Sequence, residues 1–482
     1  MQLINIKTKN YSIHFITGLF LILFSLSTAG STAAAEISLK EAVEHGLENN
    51  LEIRQQINAV ENAERQLKTI RAQQGWQIEV SANYNEIIDQ PETNRLSSGV
   101  TSPGGSQEAS EGANTSLSIS RNFSSGFNLS QTAEVDDQGD SDYTVNIAYP
   151  LFKGVPTESE KAYYEQEQKL LDAKNSLNSL LEEKLSAWLE NFLQLQRLDK
   201  SRENAELQLH TAEKTLAESK KLYSDSQISE SELKTAESDF IDAENSFSEI
   251  NNQFKNALKS FKLTLALNEG TEINLEADEY LEEIKAQLID YQQYDFEKMY
   301  QSLTAADYDL KSAAVNLELQ KKQLQWFEDE GRAEINLNGS YNHSAEVSTI
   351  GVNFSYDLFD GGQRKLNEQN LRSRLELAED NYQNLKENKK IGLENQLNKV
   401  LTAERSLESA ELKLDNAENN LELAREQHQA GLITEKAYNK QQLAFKQSQL
   451  NYQQAADNLF IEKLNLTMLL NNQYPDKNRG VK

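Results

Sequence analysis

The sequence predicts an α+β chain in which amphipathic β-strands are joined to very long charged helices, with the whole arrangement present twice. Three observations carry this reading. An internal repeat spans most of the chain, four short stretches alternate strictly between apolar and polar residues, and two long stretches contain almost no helix breaker.

Sliding the chain on itself exposes the repeat. Leu39 to Val43, then Leu51 and Ile53, align with Phe296 to Tyr300, then Tyr308 and Leu310. Gln66-Leu67 meets Gln323-Leu324, Ile78 to Tyr84 meets Ile335 to Tyr341, and Tyr149-Pro150-Leu151-Phe152 meets Tyr356-Asp357-Leu358-Phe359. Further on, Ile228-Ser229-Glu230 meets Ile433-Thr434-Glu435, and Phe261 to Leu265 meets Leu464 to Met468. Each half therefore reads as helix, strand hairpin, very long helix, turn and helix. The predicted organisation is an N-terminal segment 1–35, a first repeat 36–270, a linker 271–295, a second repeat 296–471 and a tail 472–482.

The strands follow from period-two patterning, which makes one face apolar and the other polar. Trp76, Ile78, Val80, Ala82 and Tyr84 alternate with Gln77, Glu79, Ser81 and Asn83. The same pattern occurs in Tyr143 to Leu151, in Ile335 to Tyr341 and in Ile350 to Leu358. Aromatics cluster near strand ends at Trp76, Tyr84, Tyr149, Phe152, Tyr341, Tyr356 and Phe359, as the interfacial girdles of a transmembrane barrel require. Four strands cannot close a barrel, and an open edge leaves backbone groups unpaired in hydrocarbon. Two protomers would give about eight strands, whose interior fills with side chains, and three about twelve, which leave a passage. A trimeric, 12-stranded transmembrane barrel with four strands per protomer is therefore expected. A further hairpin-like stretch, 115–134, either joins that barrel or lies outside it. Segments 86–114 and 133–142, rich in Gly, Ser, Asn and Asp, read as long extracellular loops.

Residues 156–222 and 362–427 each predict a rod of roughly 100 Å at 1.5 Å per residue. Both are too charged to sit in lipid. The helices expected over 38–74 and 229–266 are about half as long, so a stacked pair matches one rod. Seams spaced three and four apart run through Leu407, Ala410, Leu414, Ala417, Leu421, Ala424 and His428, and through Ala205, Leu209, Ala212, Leu216, Ser219 and Tyr223. Their simplest reading is an ordinary antiparallel coiled-coil hairpin.

The N-terminal segment has the order of a secretory signal peptide: Lys7 and Lys9, an apolar run over 13–26, then Ala33-Ala34-Ala35, with cleavage expected after Ala35. The chain has no cysteine, so disulfides, thiolate metal sites and a lipid-anchor cysteine are excluded. A formal net charge of −28 argues against nucleic acid as a partner. It fits a solvated helical surface and also steering of cationic cargo, and composition does not choose between them. His14, His45, His210, His343 and His428 are scattered, and no metalloprotease motif, phosphate-binding glycine loop or nucleophile elbow is present. No catalytic residue, cofactor or metal is expected.

Ile37 to Val43 with Glu48-Asn49-Asn50, Tyr356-Asp357-Leu358-Phe359-Asp360-Gly361-Gly362, and Ala430-Gly431-Leu432-Ile433-Thr434 resemble the TolC family of outer membrane efflux proteins. The resemblance covers residues 36–471 and rests on several short motifs in the right order. It implies a TolC-like homotrimer in the cell outer membrane, with a twelve-stranded barrel in outer membrane lipid and a coiled-coil α-helical tunnel across the periplasm. A mixed equatorial domain would include 270–295 and the C-terminal tail. The implied function is the exit duct of a tripartite efflux or type I secretion system, passive and not enzymatic. Its implied partners are a periplasmic membrane-fusion adaptor and an inner-membrane pump of RND, ABC or MFS type. The residues placed at the adaptor-contacting periplasmic tip are Ser226, Gln227, Ile228, Ser229, Gly431, Leu432, Ile433 and Thr434, with Tyr223, Glu232 and His428 packing the entrance. Gly431 suits a helix C-terminal cap, and Ser229 and Thr434 suit N-caps, with Glu232 at a capping-box position. Relatives often place acidic residues just past the tip turn; Glu232 matches one, whereas Ala437 and Lys440 stand at the second-half positions. Asp357 stands where relatives often have proline, and Lys153-Gly154-Val155 where they have Asp-Gly-Gly. The competing reading is a periplasmic coiled-coil adaptor or scaffold, which would carry one hairpin within β-rich flanks.

Overall fold

The computed structural model describes residues 36–85, 112–123, 125–151, 157–276, 279–293, 295–330, 334–356 and 358–470. The N-terminal segment 1–35 with Ala35, residues 86–111 of the expected loop 86–114, the junction 152–156 with Phe152, Asp357 and the tail 471–482 lie outside them. The elements in chain order are α1 (Leu39–Asn49), α2 (Leu51–Ala72), β1 (Trp76–Asn85), β2 (Gly112–Asn122), β3 (Asn128–Asp136), β4 (Ser141–Pro150), α3 (Glu158–Ser224) and α4 (Glu230–Thr264). They continue with α5 (Glu279–Ala286), α6 (Phe296–Ala306), α7 (Tyr308–Glu330), β5 (Glu334–Asn342), β6 (Val347–Ser355), α8 (Gln363–Gln429) and α9 (Glu435–Leu470). Two long helices of 67 residues each, α3 and α8, are unbroken. Two compact units form, and each draws on both halves of the chain: the described residues within 36–58, 175–311 and 384–470 belong to one, those within 59–174 and 312–383 to the other.

In the first unit, each half builds a core from a short helix laid on a long one. Leu39, Val43 and Leu47 of α1 pack with Trp188, Leu189 and Phe192 of α3 and with Phe261 and Leu265. Met299 and Leu303 of α6 pack with Leu393 and Val400 of α8 and with Leu466 and Leu470 of α9. Segment 270–295 joins the first of these cores through Ile273, Leu275, Tyr280 and Leu281, and Ile273 bridges Ile37 in parallel. Gly46 allows the approach of α1: a Cβ there would lie 2.6 Å from Leu265 Cδ2 and 2.9 Å from the Trp188 ring.

The single helix expected over 38–74 is instead two, because Asn50 adopts an extended conformation with φ −60° and ψ 130°. Its Oδ1 accepts the N–H groups of Glu52 (3.0 Å) and Ile53 (3.2 Å), capping α2, while its Nδ2 donates to the Thr264 carbonyl at 2.8 Å. A side chain that satisfies the new helix start and a neighbouring chain together makes the break favourable. Asp307 does the same between α6 and α7, its Oδ1 accepting the Leu310 N–H at 2.8 Å.

The second unit holds one antiparallel sheet in the order β1-β2-β3-β4-β5-β6. This corrects the expected four strands per protomer to six: the 115–134 hairpin lies within the sheet, between β1 and β4. The reason is its register. Val80 pairs with Leu117, Leu117 with Ala133 and Ala133 with Tyr143, so the hairpin continues the apolar face of its neighbours. The expected long loop 133–142 shrinks to 137–140, because its polar residues occupy the polar face of β3 and β4, and Gly139 turns at φ +85°. β6 also starts earlier than the alternation suggested, since the Asn342↔Val347 pair fixes the hairpin register.

In the same unit, neighbouring helix segments lie in the order α2, α3, α7, α8. Gln166 Nε2 donates to the Ala63 carbonyl at 3.1 Å, Gln323 Nε2 to Glu165 at 3.2 Å, and Arg364 to the Phe327 carbonyl at 2.6 Å. Tyr164 and Trp326 pack with ring centroids 5.7 Å apart.

Gly46→Val is expected to destabilise the protein by roughly 1–3 kcal/mol through overpacking against Leu265 and Trp188. The detergent-solubilised variant should melt at lower temperature with its helix content unchanged before the transition. An unaltered melt would show that the contact does not constrain α1.

Candidate functional site

The sheet presents one face of each kind. In register across all six strands stand Gln77, Ser120, Ser130, Asn146, Ser340 and Thr349, a continuous polar row. The opposite face carries Ile78, Val80, Leu117, Ile119, Leu129, Val145, Ile147, Leu337, Ile350, Val352 and Phe354, many of them exposed. A sheet of this pattern suits lipid on one side and water on the other.

Aromatic contacts line the helix-proximal ends of β1 to β4. Trp76 meets Phe123 (6.5 Å between centroids), Phe123 meets Phe127 (5.4 Å), and Phe127 meets Tyr149 (6.4 Å). The Arg121 guanidinium sits over Phe123 at 4.4 Å and over Trp76 at 5.6 Å. Tyr84, Tyr143 and Tyr341 lie towards the other strand ends on the same face. Trp76 to Tyr84 covers about 26 Å of strand, or roughly 20 Å of height at a ~40° tilt, close to the apolar band of an outer-membrane barrel. The sequence marks Trp76, Tyr84, Tyr149 and Tyr341 as strand-end aromatics, whereas Phe123 and Phe127 stand in it only as part of the hairpin-like stretch 115–134. Their signal was a pair of phenylalanines flanking a Ser-Ser-Gly turn, in which Gly126 has φ +82°.

In the first unit, the turn between α3 and α4 and the turn between α8 and α9 are built alike. Gln227 N–H donates to the Leu222 carbonyl at 2.8 Å and Ser226 N–H to Tyr223 at 2.9 Å; Leu432 N–H donates to Gln427 at 2.8 Å and Gly431 N–H to His428 at 3.0 Å. Both are Schellman closures. The residue at positive φ is Gly431 (+72°) in one and Ser226 (+55°) in the other. Ser229 caps α4 in a capping box: it accepts the Glu232 N–H at 3.3 Å, and its own N–H donates to the Glu232 carboxylate at 2.7 Å. Those hydrogen bonds from Ser229 hold the Glu232 carboxyl below its usual range. Thr434 Oγ1 accepts the Ala437 N–H at 3.2 Å. With Ala437 at that position the second turn has no reciprocal bond.

Exposure separates the tip residues. Leu432 is 75% exposed, whereas Ile228 and Ile433 are half-buried. The two isoleucines precede the N-caps, where a hydrophobic staple would oppose Leu233 and Tyr438. His428 stacks on Tyr438 of its own hairpin at 5.3 Å, and Tyr223 stays exposed on the first hairpin. Ion pairs join the two hairpins nearby, Lys214 with Glu435 at 3.3 Å and Lys436 with Asp239 at 2.9 Å. Both are exposed and therefore weak.

A polar knot in the first unit escaped the sequence reading. Lys389 Nζ pairs with Asp307 at 2.7 Å and Asp309 at 2.6 Å, and Asn175 hydrogen-bonds Asp309. Beside them Asn178 Nδ2 donates to Glu182 at 2.8 Å. Burial raises the Glu182 carboxyl from 4.5 to about 7; the Asn178 amide and the Lys389 ammonium pull it down, and Asp307 and Asp309 push it further up. Among the described residues no group of His, Cys, Asp or Glu is arranged to hold a metal, and no helix is long and apolar enough to cross a membrane.

These features, long paired helices and a strand sheet with one apolar face, make up a fold that solved outer-membrane channels share. The fold is similar to VceC, an outer membrane protein of Vibrio cholerae, with 15% identity, 90% of this chain and 95% of that chain covered and a TM-score of 0.59. It is similar to the CmeC outer membrane channel of Campylobacter jejuni at 13% identity, covering 94% and 91%, with a TM-score of 0.62. The MtrE outer membrane channel of Neisseria gonorrhoeae, in its open state, gives 12%, 92% and 93%, and 0.59. No curated protein sequence matches the chain. Residues 299–472 match the model of the outer membrane efflux protein family.

Because the folded state holds the Glu182 proton more tightly than the unfolded chain does, this group costs nothing below about pH 4.5. Its cost grows as pH rises and is complete above about pH 7. Glu182→Gln is therefore expected to melt higher than the parent at pH 8 and equally at pH 4.5. Equal melting at both would show that the carboxyl is not destabilising.

Proposed function

We propose that this protein is the exit duct of a tripartite efflux or type I secretion system: a passive channel seated in the outer membrane with a large periplasmic helical portion. The observation that carries the reading is the sheet, whose polar row crosses all six strands and whose opposite face is mostly apolar, with Arg121, Gln131 and Ser348 as polar exceptions. Such a sheet is stable only between lipid and water, and its open edges require identical neighbours. Its assembly is a homotrimer. An inner-membrane pump of RND, ABC or MFS type supplies the energy, and a periplasmic membrane-fusion adaptor shifts a closed tip towards an open one. The adaptor docks on the turns at Ser226, Gln227, Ile228 and Ser229 and at Gly431, Leu432, Ile433 and Thr434. Leu432, apolar and exposed, is the strongest anchor among them. Tyr223, Glu232 and His428 pack beside these turns. Compounds to which a deletion strain becomes sensitive identify the cargo.

Two outcomes test the reading. The mature chain is expected to stay with outer membranes through a carbonate wash; release into the wash would favour a periplasmic scaffold. Leu432→Asp should reproduce the sensitivity of the deletion strain while carbonate-resistant protein is unchanged. Full resistance in that variant would remove the turn from docking.

A further inference from the structure

We propose that β1 of one protomer pairs with β6 of the next, so that three protomers close a wall of eighteen strands, wider than the twelve that four strands each would provide. This rests on the duct reading above and specifies its pore.

The edges carry the argument. β1 and β6 each have a partner on one side only. Their apolar side chains are the most exposed in the sheet: Ile78 69%, Val80 70%, Ile350 84% and Phe354 67%, against 39% for Leu117 and 40% for Ile147 on inner strands. A neighbouring strand covers that surface and satisfies the free backbone groups. Strand direction alternates through six antiparallel strands, so β1 and β6 run opposite ways and meet across copies in the antiparallel sense. Head-to-tail pairing of this kind closes into a ring when the rotation from copy to copy divides a full turn.

The inner hairpin belongs to the wall because its faces largely continue those of its neighbours, with Arg121 and Gln131 as polar exceptions on the apolar side. Ser120 and Ser130 continue the polar row, and Leu117, Ile119 and Leu129 continue the apolar one. Phe123 and Phe127 complete the aromatic belt between Trp76 and Tyr149. A hairpin lying outside the barrel would need neither match.

The chain lacks cysteine, so Asn146→Cys on the polar face of β4 gives one spin label per protomer. In an eighteen-strand ring, three such labels are expected about 30 Å apart, and in a twelve-strand ring about 20 Å. The mass of the detergent-extracted assembly is measured on the same sample. A trimer with labels near 30 Å supports the proposal. A trimer with labels near 20 Å overturns it and leaves the duct reading standing; a monomeric mass overturns both. Excising residues 112–136 keeps the parity of β1 against β4, and should bring the labels of a trimer to about 20 Å. No change on excision would place the hairpin outside the wall.

Discussion

Backbone hydrogen bonding at the edges of the sheet is the constraint on which everything else depends. Hydrocarbon offers no partner for a free N–H or carbonyl, so a six-stranded sheet with two open edges has no stable place in a membrane as a single copy. The same sheet is poorly suited to water, because Ile78, Val80, Ile350 and Phe354 stand on an uncovered apolar face. The proposed assembly would resolve both problems at once and tie the stability of the protomer to its copies.

The helical parts use small, repeated solutions to a related problem, the ends of helices. Asn50 and Asp307 interrupt corresponding helices and cap the segments that follow. Behind each, a lysine of the long helix meets an acid: Lys184 with Glu52 at 2.8 Å, and Lys389 with Asp309 at 2.6 Å. The second half replaces the neutral Asn50 with Asp307, and the additional negative charge gathers Lys389 while raising the cost of ionising Glu182. The two tip turns diverge in a comparable way. Both close by the same backbone bonds, yet Ser229 has Glu232 to complete its box, whereas Thr434 has only Ala437.

Much of this was legible in the residues themselves. Period-two alternation located β1, β4 and β5 to within a residue or two, because a half-buried strand writes its faces directly into the sequence. The absence of breakers located α3 and α8, and serine, threonine and glycine marked the caps. Two features were not legible. The hairpin-like stretch 115–134 is visible in the residues, but its place in the sheet is left open by them and its outer ends, 112–114 and 133–136, resemble loop composition; they pair as strand because register carries β2 and β3 that far. The relative exposure of the tip residues was the other: Ile228 and Ile433 are half-buried beside their caps, and Leu432 is exposed.

The sequence by itself determined the kind of element at each position, the order in which the elements occur in the two halves and the chemistry of their ends, since these depend on neighbours within a few residues. Tertiary structure alone decided that the sheet has six strands and not four, that α1 and α2 part at Asn50, and that Glu182 lies against Asp307, Asp309 and Lys389. Each of those depends on what a side chain meets from distant parts of the chain: pairing register in the first case, the Thr264 carbonyl in the second, and burial beside α6, α7 and α8 in the third.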